Sequence, residues 1–306
     1  MHYVFEPGLF SSDPVHTAVL IGSVTAVVSA VVGVFTVIRS QSFAGHALTD
    51  VATTGGSAAY YFGIAPLTGF IGGGLLGAGA MEVAGVQRVR SRDLATGIVL
   101  GAATGIAALF LYLDTTTSAT TGATQQILFG SIFTVEASTI PVVSGLSALT
   151  VVSLAAIHRP LLLGSVSPEL ASARGIRTRW VGLAFMLSMA VAVGLSSIAI
   201  GSILSTALLI GPAATALRLT RSLASSIALA CVFGVSTTLL GILLAYDSAY
   251  WDSSSQGLPV SFFIVAITFA GYLCSGIPSI RRDSMKRQRR TDDRPSGDAP
   301  VPGVTS

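Results

Sequence analysis

Runs of about 20 apolar residues recur along this 306-residue chain, and each is long enough to cross a hydrocarbon core of about 30 Å as an α-helix. Only 10% of the residues are charged, whereas a water-soluble domain carries about a quarter, so a water-facing surface is excluded for most of the chain. The runs lie at about 16–38, 43–63, 66–84, 94–113, 138–157, 180–199, 200–217, 222–245 and 258–278. The sequence therefore predicts an all-α, polytopic membrane bundle of about nine transmembrane helices, within a range of eight to ten.

The 17 basic residues fall on alternate connections between these segments. They occupy Arg39; Arg88 to Arg92; Arg159 to Arg179; Arg218 and Arg221; and Arg281 to Arg294. Because Lys and Arg concentrate in the cytoplasmic loops of membrane proteins, these connections are predicted to be cytoplasmic. We therefore expect a multi-pass protein of the cell (cytoplasmic) membrane, with its N-terminus outside, its C-terminus inside and an odd number of crossings.

Three regions are expected along the chain. Residues 1–15 form an extracellular N-terminus, residues 16–280 form the transmembrane domain, and residues 281–306 form a cytoplasmic tail. The tail is basic and then rich in Pro, Gly and Asp, with no apolar face, and this composition predicts disorder. Because its basic part follows a final span directly, it indicates contact with anionic membrane lipid rather than with nucleic acid.

His46 and Asp50 are two ionisable residues within segment 43–63, which is polar for a membrane span. Residues four apart share one face of a helix, one turn apart. An ionisable residue inside a span is costly and usually marks an ion or proton path, and imidazole with carboxylate also suits zinc or manganese. The spacing alone leaves three roles open: metal ligands, a proton relay, or a hydrogen-bonded pair that serves packing or lies at the headgroup boundary.

A short helix is predicted in the cytoplasmic connection around residues 168–175. Pro168 suits the first turn of a helix, Glu169 suits its positive N-terminal end, and Gly175 suits its stop. The connection therefore holds a compact helical element between two spans. By itself, any capped loop helix would give this pattern.

Small residues dominate the segment from Ile200 to Ala216, and Gly211–Pro212 interrupts it. Proline removes a helix hydrogen bond, so a kink or break is expected there. Discontinuous helices of this kind expose backbone groups only where protein or a cavity surrounds them. Ser205, Pro212 and Thr215 are therefore candidates for lining a path, with tight packing as the alternative.

Motifs for hydrolytic chemistry are absent from the sequence. Its one lysine, Lys286, lies in the tail, so no phosphate-binding loop of the Walker A type can form. No H-E-x-x-H motif occurs, and no G-x-S-x-G motif lies on a span. The chain is therefore not expected to be an enzyme, and any ATP hydrolysis must come from another polypeptide.

Taken in order, three stretches resemble the permease subunits of zinc/manganese/iron-type metal-ion ABC importers. That family has a span start reading roughly G-D-x-L-x-H, a cytoplasmic docking loop with an acidic residue and a glycine, and a later G-x-L-L-x-x-A-L-L-x-x-P-A-A-T-A stretch. This chain has Gly45-His46-Ala47-Leu48-Thr49-Asp50, then Glu169 to Gly175, then Gly201 to Ala216. The last match is the most specific, and the resemblance covers about residues 16–278.

The resemblance implies a fold like that of type II ABC importers and a transported divalent metal ion, zinc or manganese and possibly iron, with no permanently bound cofactor. It also implies a cytoplasmic ATPase subunit that docks on Pro168, Glu169, Ala171 and Gly175, an extracellular or periplasmic metal-binding protein, and a homodimer. His46 and Asp50 would contact the metal. Their order is exchanged relative to the family pattern, which weakens any transfer of metal identity. The alternative is a proton-coupled secondary transporter in which His46 and Asp50 form the relay.

Overall fold

The computed structural model of the chain describes residues 13–83, 92–117, 122–130, 132–248 and 258–292. Apart from turns and one 3₁₀ turn at Ala137–Thr139, these residues are α-helical. The helices are α1 (Asp13–Ile38), α2 (Ser42–Tyr61), α3 (Pro66–Val83), α4 (Arg92–Thr117), α5 (Ala123–Phe129), α6 (Ile140–Val166), α7 (Pro168–Ala173), α8 (Thr178–Ile200), α9 (Ser202–Leu219), α10 (Leu223–Ser248) and α11 (Val260–Asp292). The predicted all-α membrane bundle is confirmed.

Each of the nine predicted apolar segments corresponds to one long helix of this bundle. In the described part of the chain, six helical stretches are long and apolar enough to cross a membrane: Asp13–Ile38, Thr96–Thr116, Ala137–Val166, Thr178–Ile200, Ser202–Leu219 and Leu223–Ser248. Val260–Gly276 of α11 is apolar but shorter. Because α2 and α3 fall outside both groups, the count of nine crossings stays a prediction.

Close packing on glycine explains how the less apolar α2 and α3 fit into the bundle. A Cβ atom added to Gly55 of α2 would lie 2.2 Å from the carbonyl oxygen of Gly69 and 2.7 Å from Cα of Gly73, both in α3. The two backbones therefore touch, as small residues allow between membrane helices. The hydroxyls of Thr53 and Ser57 donate to backbone carbonyls one turn earlier in α2, so they cost little when buried.

The helix α1 occupies the middle of the bundle and packs on α6, α8, α9 and α10. At its crossing with α9, a Cβ atom on Gly33 would lie 1.8 Å from the carbonyl oxygen of Leu209. No side chain fits between those two backbones. Phe35 on α1 and Phe185, Met186 and Met189 on α8 complete the apolar core on this side.

Two contacts place two of the basic connections, the one at Arg39 and the one that ends at Arg179, on one face of the bundle. The guanidinium of Arg39, just after α1, contacts the end of α6, and Glu82 near the end of α3 pairs with Arg179 at the start of α8 at 3.3 Å. On the opposite face, Gly130 after α5 packs against Gly201 between α8 and α9, and both have positive φ angles of 80° and 85°. The ends of α1, α3 and α6 and the start of α8 therefore lie together, and the orientation of the bundle in the membrane stays a prediction.

Two boundaries differ from the sequence prediction, and the helix is unbroken at Pro212, where a kink or break was expected. The first helix begins at Asp13, so residues 13–15 are helical, and α11 continues to Asp292, so residues 281–292 of the predicted disordered tail are helical. Once nucleated, a helix continues at low cost through residues such as Lys, Arg, Gln and Met, which are good helix formers. Pro212 lies inside the continuous helix α9, and the break in this region falls at Gly201 instead.

Residues 1–12, 84–91 and 293–306 lie outside the described part of the chain. The remaining predictions for the N-terminus, for Arg88 and Arg90, and for the end of the tail therefore have no structural counterpart here.

Candidate metal path and docking helix

His46 lies in the second turn of α2 and is half-buried. Its Nδ1 atom lies 3.2 Å from the hydroxyl oxygen of Thr206 on α9, within hydrogen-bonding distance. The same Thr206 hydroxyl lies 3.3 Å from the hydroxyl of Thr49, which also donates to the carbonyl oxygen of Gly45. An imidazole and two hydroxyl groups thus form one polar cluster between α2 and α9.

Asp50 contacts a different helix. Its Oδ2 atom accepts a hydrogen bond of 3.0 Å from the hydroxyl of Thr104, an exposed residue on α4. One turn further along α2, the hydroxyl of Thr54 donates to the carbonyl oxygen of Ala103 at 2.8 Å. The carboxylate is therefore held toward the α4 side of α2, while His46 is held toward α9.

Spacing correctly placed His46 and Asp50 one turn apart on one helix, but it did not predict that their polar partners belong to two different helices. Thr206 and Thr104 were both missed by sequence reasoning. Ser205 was named in place of its neighbour Thr206, and its buried hydroxyl instead donates to the carbonyl oxygen of Ser202. No pattern in the sequence decides which of these two adjacent hydroxyls faces α2, because that depends on the rotation of α9 in the bundle.

The two other path-lining candidates on α9 contact helices α10 and α11. The ring of Pro212 lies beside Gly234 of α10, where an added Cβ would be 3.6 Å away. The hydroxyl of Thr215 donates to the carbonyl oxygen of Gly211, and Thr215 lines a cavity of about 260 Å³ together with Phe233 and Gly271. Neither residue is in contact with His46 or Asp50 in the hydrogen bonds described.

The donor set around α2 limits what one chain can bind. Over the residues that the structure describes, no three His, Cys, Asp or Glu side chains form a metal-binding group. A closed zinc site uses four protein ligands, so the described part of the chain groups at most half of such a set, supplemented by hydroxyl oxygens. Such an incomplete set suits loose binding, which a transport site needs in order to release its ion.

The predicted short helix is present as α7, and its ends are capped as expected. Ser167 is the N-cap, and its hydroxyl accepts a hydrogen bond from the backbone N–H of Leu170. At the other end the N–H of Gly175 donates to Ser172 and the N–H of Ile176 donates to Ala171, the two bonds of a Schellman motif. Gly175 has φ +74°, a left-handed conformation that favours glycine.

Only part of α7 is available to a partner. Glu169, Ser172 and Arg174 are exposed, and Leu170 presents 49% of its surface. Ala171, however, is fully buried, so its side chain fixes α7 against its neighbours instead of belonging to the exposed surface. The helix packs between α6 and α8 on the face where the basic connections lie.

A family model described as "ABC 3 transport family" matches residues 11–274, which include every long helix in whole or in part. The chain belongs to this family. It is therefore the multi-pass membrane permease component of an ABC transporter and not the subunit that hydrolyses ATP. The prediction that it is not an enzyme is confirmed by this membership.

Similar proteins cover nearly the whole chain. The manganese transport system membrane protein MntC of Listeria innocua is 28% identical over 271 residues, covering 87% of this chain and 94% of the relative. A probable iron transport system membrane protein of Haemophilus influenzae is 25% identical over 275 residues, covering 88% and 97%. The structure of PsaBC from Streptococcus pneumoniae in complex with Fab matches with a TM-score of 0.74 and 25% identity, covering 88% of this chain and 92% of that one.

Proposed function

We propose that this permease imports a divalent transition metal, with manganese favoured over iron and zinc. The observation that carries the proposal is the position of His46 and Asp50, two ionisable groups on an otherwise small-residue helix inside the bundle. Ionisable side chains inside a membrane span cost free energy, and where they occur they usually mark an ion path. Permeases named for manganese and iron transport are similar over almost the whole chain, and imidazole with oxygen ligands suits these ions.

Uptake by intact cells tests the proposal and chooses among the metals. In a strain that lacks the gene, plasmid-borne wild-type protein should restore accumulation of radioactive manganese at limiting concentration. Unlabelled iron and zinc are added in parallel as competitors. Restored uptake of zinc alone would identify zinc, and not manganese, as the substrate. Equal metal uptake by the two strains would contradict metal import altogether.

A second copy of the chain would complete the metal path. On α4, Gly97, Gly101 and Gly105 follow one another at four-residue spacing, and a Cβ added to any of them meets no atom within 4 Å. Thr104, which holds the carboxylate of Asp50, is exposed on the same helix. A carboxylate that is accessible from a lipid-facing surface is energetically unfavourable. The glycines of α4 would allow a second helix to approach closely and cover it. These features support a two-fold dimer through α4 that brings two Asp50 residues toward one path.

The opposite face supports delivery of the metal by an external binding protein. A cavity of about 660 Å³ opens there between α5 and the ends of α1, α10 and α11. Gln125, Gln126 and Tyr246 are among the polar residues that line it. It lies at the end of the bundle away from α7, where a metal delivered from outside would be received.

The proposed orientation places α7 and the C-terminus inside the cell and the 660 Å³ cavity outside. Reporter fusions at Ser118 and Ser253 should therefore give the external signal, and fusions at Arg90 and Ser172 the cytoplasmic one. The basic residues near α7 and Arg39 are the physical reason, because such residues are retained on the cytoplasmic side. A cytoplasmic signal from Ser253 would contradict the proposed topology.

A further inference from the structure

Arg39 joins three separate elements of the bundle. It lies in the three-residue connection between α1 and α2, seven residues before His46. Its Nη1 atom donates to the carbonyl oxygen of Leu161 at 3.3 Å and to the hydroxyl of Ser165 at 3.1 Å, both on α6. The guanidinium also stacks over the ring of Phe185 on α8, 5.3 Å from its centroid. The start of the helix that carries His46 is thus linked to the end of α6.

The segment of α6 that Arg39 contacts is the part nearest to the docking helix. Pro160 lies inside α6 and has no N–H to donate to the preceding turn, so the helix is weakened there. Beyond Pro160, residues 161–166 lead to α7 through the single residue Ser167, which ends one helix and caps the next. A displacement of α7 therefore moves residues 161–166 directly, and Pro160 provides the point at which they can bend.

The connection between α1 and α2 is suited to receive that displacement. Ser40 has φ +52°, and within the described ranges it is the one residue other than glycine with a positive φ. Gln41 follows it and then α2 begins. Only Ser40 and Gln41 separate Arg39 from α2, so a displacement of Arg39 would act on the start of α2 through two residues.

A second link on the same face is weaker. Arg179 at the start of α8 pairs with Glu82 of α3, but the Arg179 side chain is 78% exposed. Exposed ion pairs are screened by water and contribute little. Arg39 is half-buried and has two acceptors and an aromatic ring, so it provides the firmer contact.

We propose that Arg39 is a positioning residue that transmits movement of the docking helix α7 to the metal-site helix α2. This inference rests on the proposed function and on the ATPase docking that the family resemblance implies for α7. ATP-driven closure of the ATPase pair moves α7 and residues 161–166, and Arg39 carries that movement to the start of α2. His46 and Asp50 then change their position relative to α9 and α4.

The ratio of metal transported to ATP hydrolysed tests this role in the complete transporter, reconstituted into lipid vesicles. With Arg39→Ala, we expect ATP hydrolysis to persist while the ratio falls about tenfold or more, since hydrogen bonds to a charged group are lost. Arg39→Lys keeps the charge and part of the link, so it should retain an intermediate ratio. Arg159→Ala is the matched control, because Arg159 is exposed on α6, the helix that Arg39 contacts, and its loss should leave the ratio unchanged.

A double-mutant cycle with Ser165→Ala separates transmission from general destabilisation. Ser165→Ala removes one acceptor and should lower the ratio less than Arg39→Ala does, and the double variant should be no worse than Arg39→Ala alone. If Arg39→Ala fails to assemble, Arg39→Lys and Ser165→Ala decide the question. A wild-type ratio in both, or additive losses in the cycle, would overturn the proposal, whereas a wild-type complex without ATP-driven metal uptake would overturn the proposed function instead.

Discussion

Asp50→Ala and His46→Ala are each expected to lower metal uptake to below about one hundredth of the wild-type rate, with normal amounts of folded protein in the membrane. Each change removes one of the two proposed metal ligands, and the neighbouring hydroxyls of Thr49, Thr104 and Thr206 would bind metal too weakly to replace it. The helix should persist because alanine favours it and each change removes one side-chain hydrogen bond to a neighbouring helix. Uptake of radioactive manganese, alongside quantification of folded protein in the membrane, provides the measurement.

The control for this prediction is Asp93→Ala. Asp93 is an exposed carboxylate in the first turn of α4, so the same substitution there should leave uptake intact. Normal uptake by Asp50→Ala at limiting metal would exclude the proposed metal site at His46 and Asp50. Loss of folded protein with intact uptake per surviving molecule would instead identify His46 and Asp50 as a packing pair.

Exchanging the two residues tests whether their order matters. His46→Asp combined with Asp50→His recreates the order of the family pattern, and part of the transport should survive. Hydroxyl groups can both donate and accept, so Thr206 and Thr104 can bond to either side chain. Complete loss in the exchanged variant, with folded protein present, would show that each residue is required at its own helix contact.

The second large effect is expected at the docking helix. Proline cannot adopt the φ of +74° found at Gly175 and has no N–H for the bond to Ser172, so Gly175→Pro should destroy the C-terminal cap of α7. We expect normal membrane insertion but loss of co-purification with the ATPase subunit. Gly175→Asn is the matched control, because asparagine tolerates the left-handed conformation and keeps the N–H.

The same purified complex tests the dimer. Native mass spectrometry of the wild-type complex should show two copies of the permease with two ATPase subunits. One permease copy would contradict the dimer through α4.

A Gly175→Pro complex that still assembles and couples ATP hydrolysis to transport would contradict the docking role of α7.

The features that sequence predicted well depend on local physics. The capped helix from Pro168 to Gly175 follows from cap preferences. Apolar runs likewise place the long helices, with errors of a few residues at their ends. These features are encoded by neighbouring residues in the chain.

The contacts that define the site depend on long-range packing, and sequence alone did not provide them. Arg39 contacts residues 122 and 126 positions away, and His46 contacts Thr206 at a separation of 160. Which hydroxyl faces which ligand depends on the rotation of each helix in the finished bundle. Of the kink or break predicted at Pro212, the break does not occur for a related reason: a helix inside a bundle is supported by its neighbours and can continue through a proline.

ATP-driven uptake by the reconstituted transporter is the direct test of whether this permease imports a metal at the expense of ATP. The permease and its ATPase subunit are placed in lipid vesicles with the external binding protein loaded with manganese, and ATP is supplied on the α7 face. We expect manganese accumulation on the α7 side that requires ATP and persists when a protonophore abolishes the proton gradient. Accumulation by the permease without the ATPase, driven by a proton gradient and abolished by the protonophore, would contradict it.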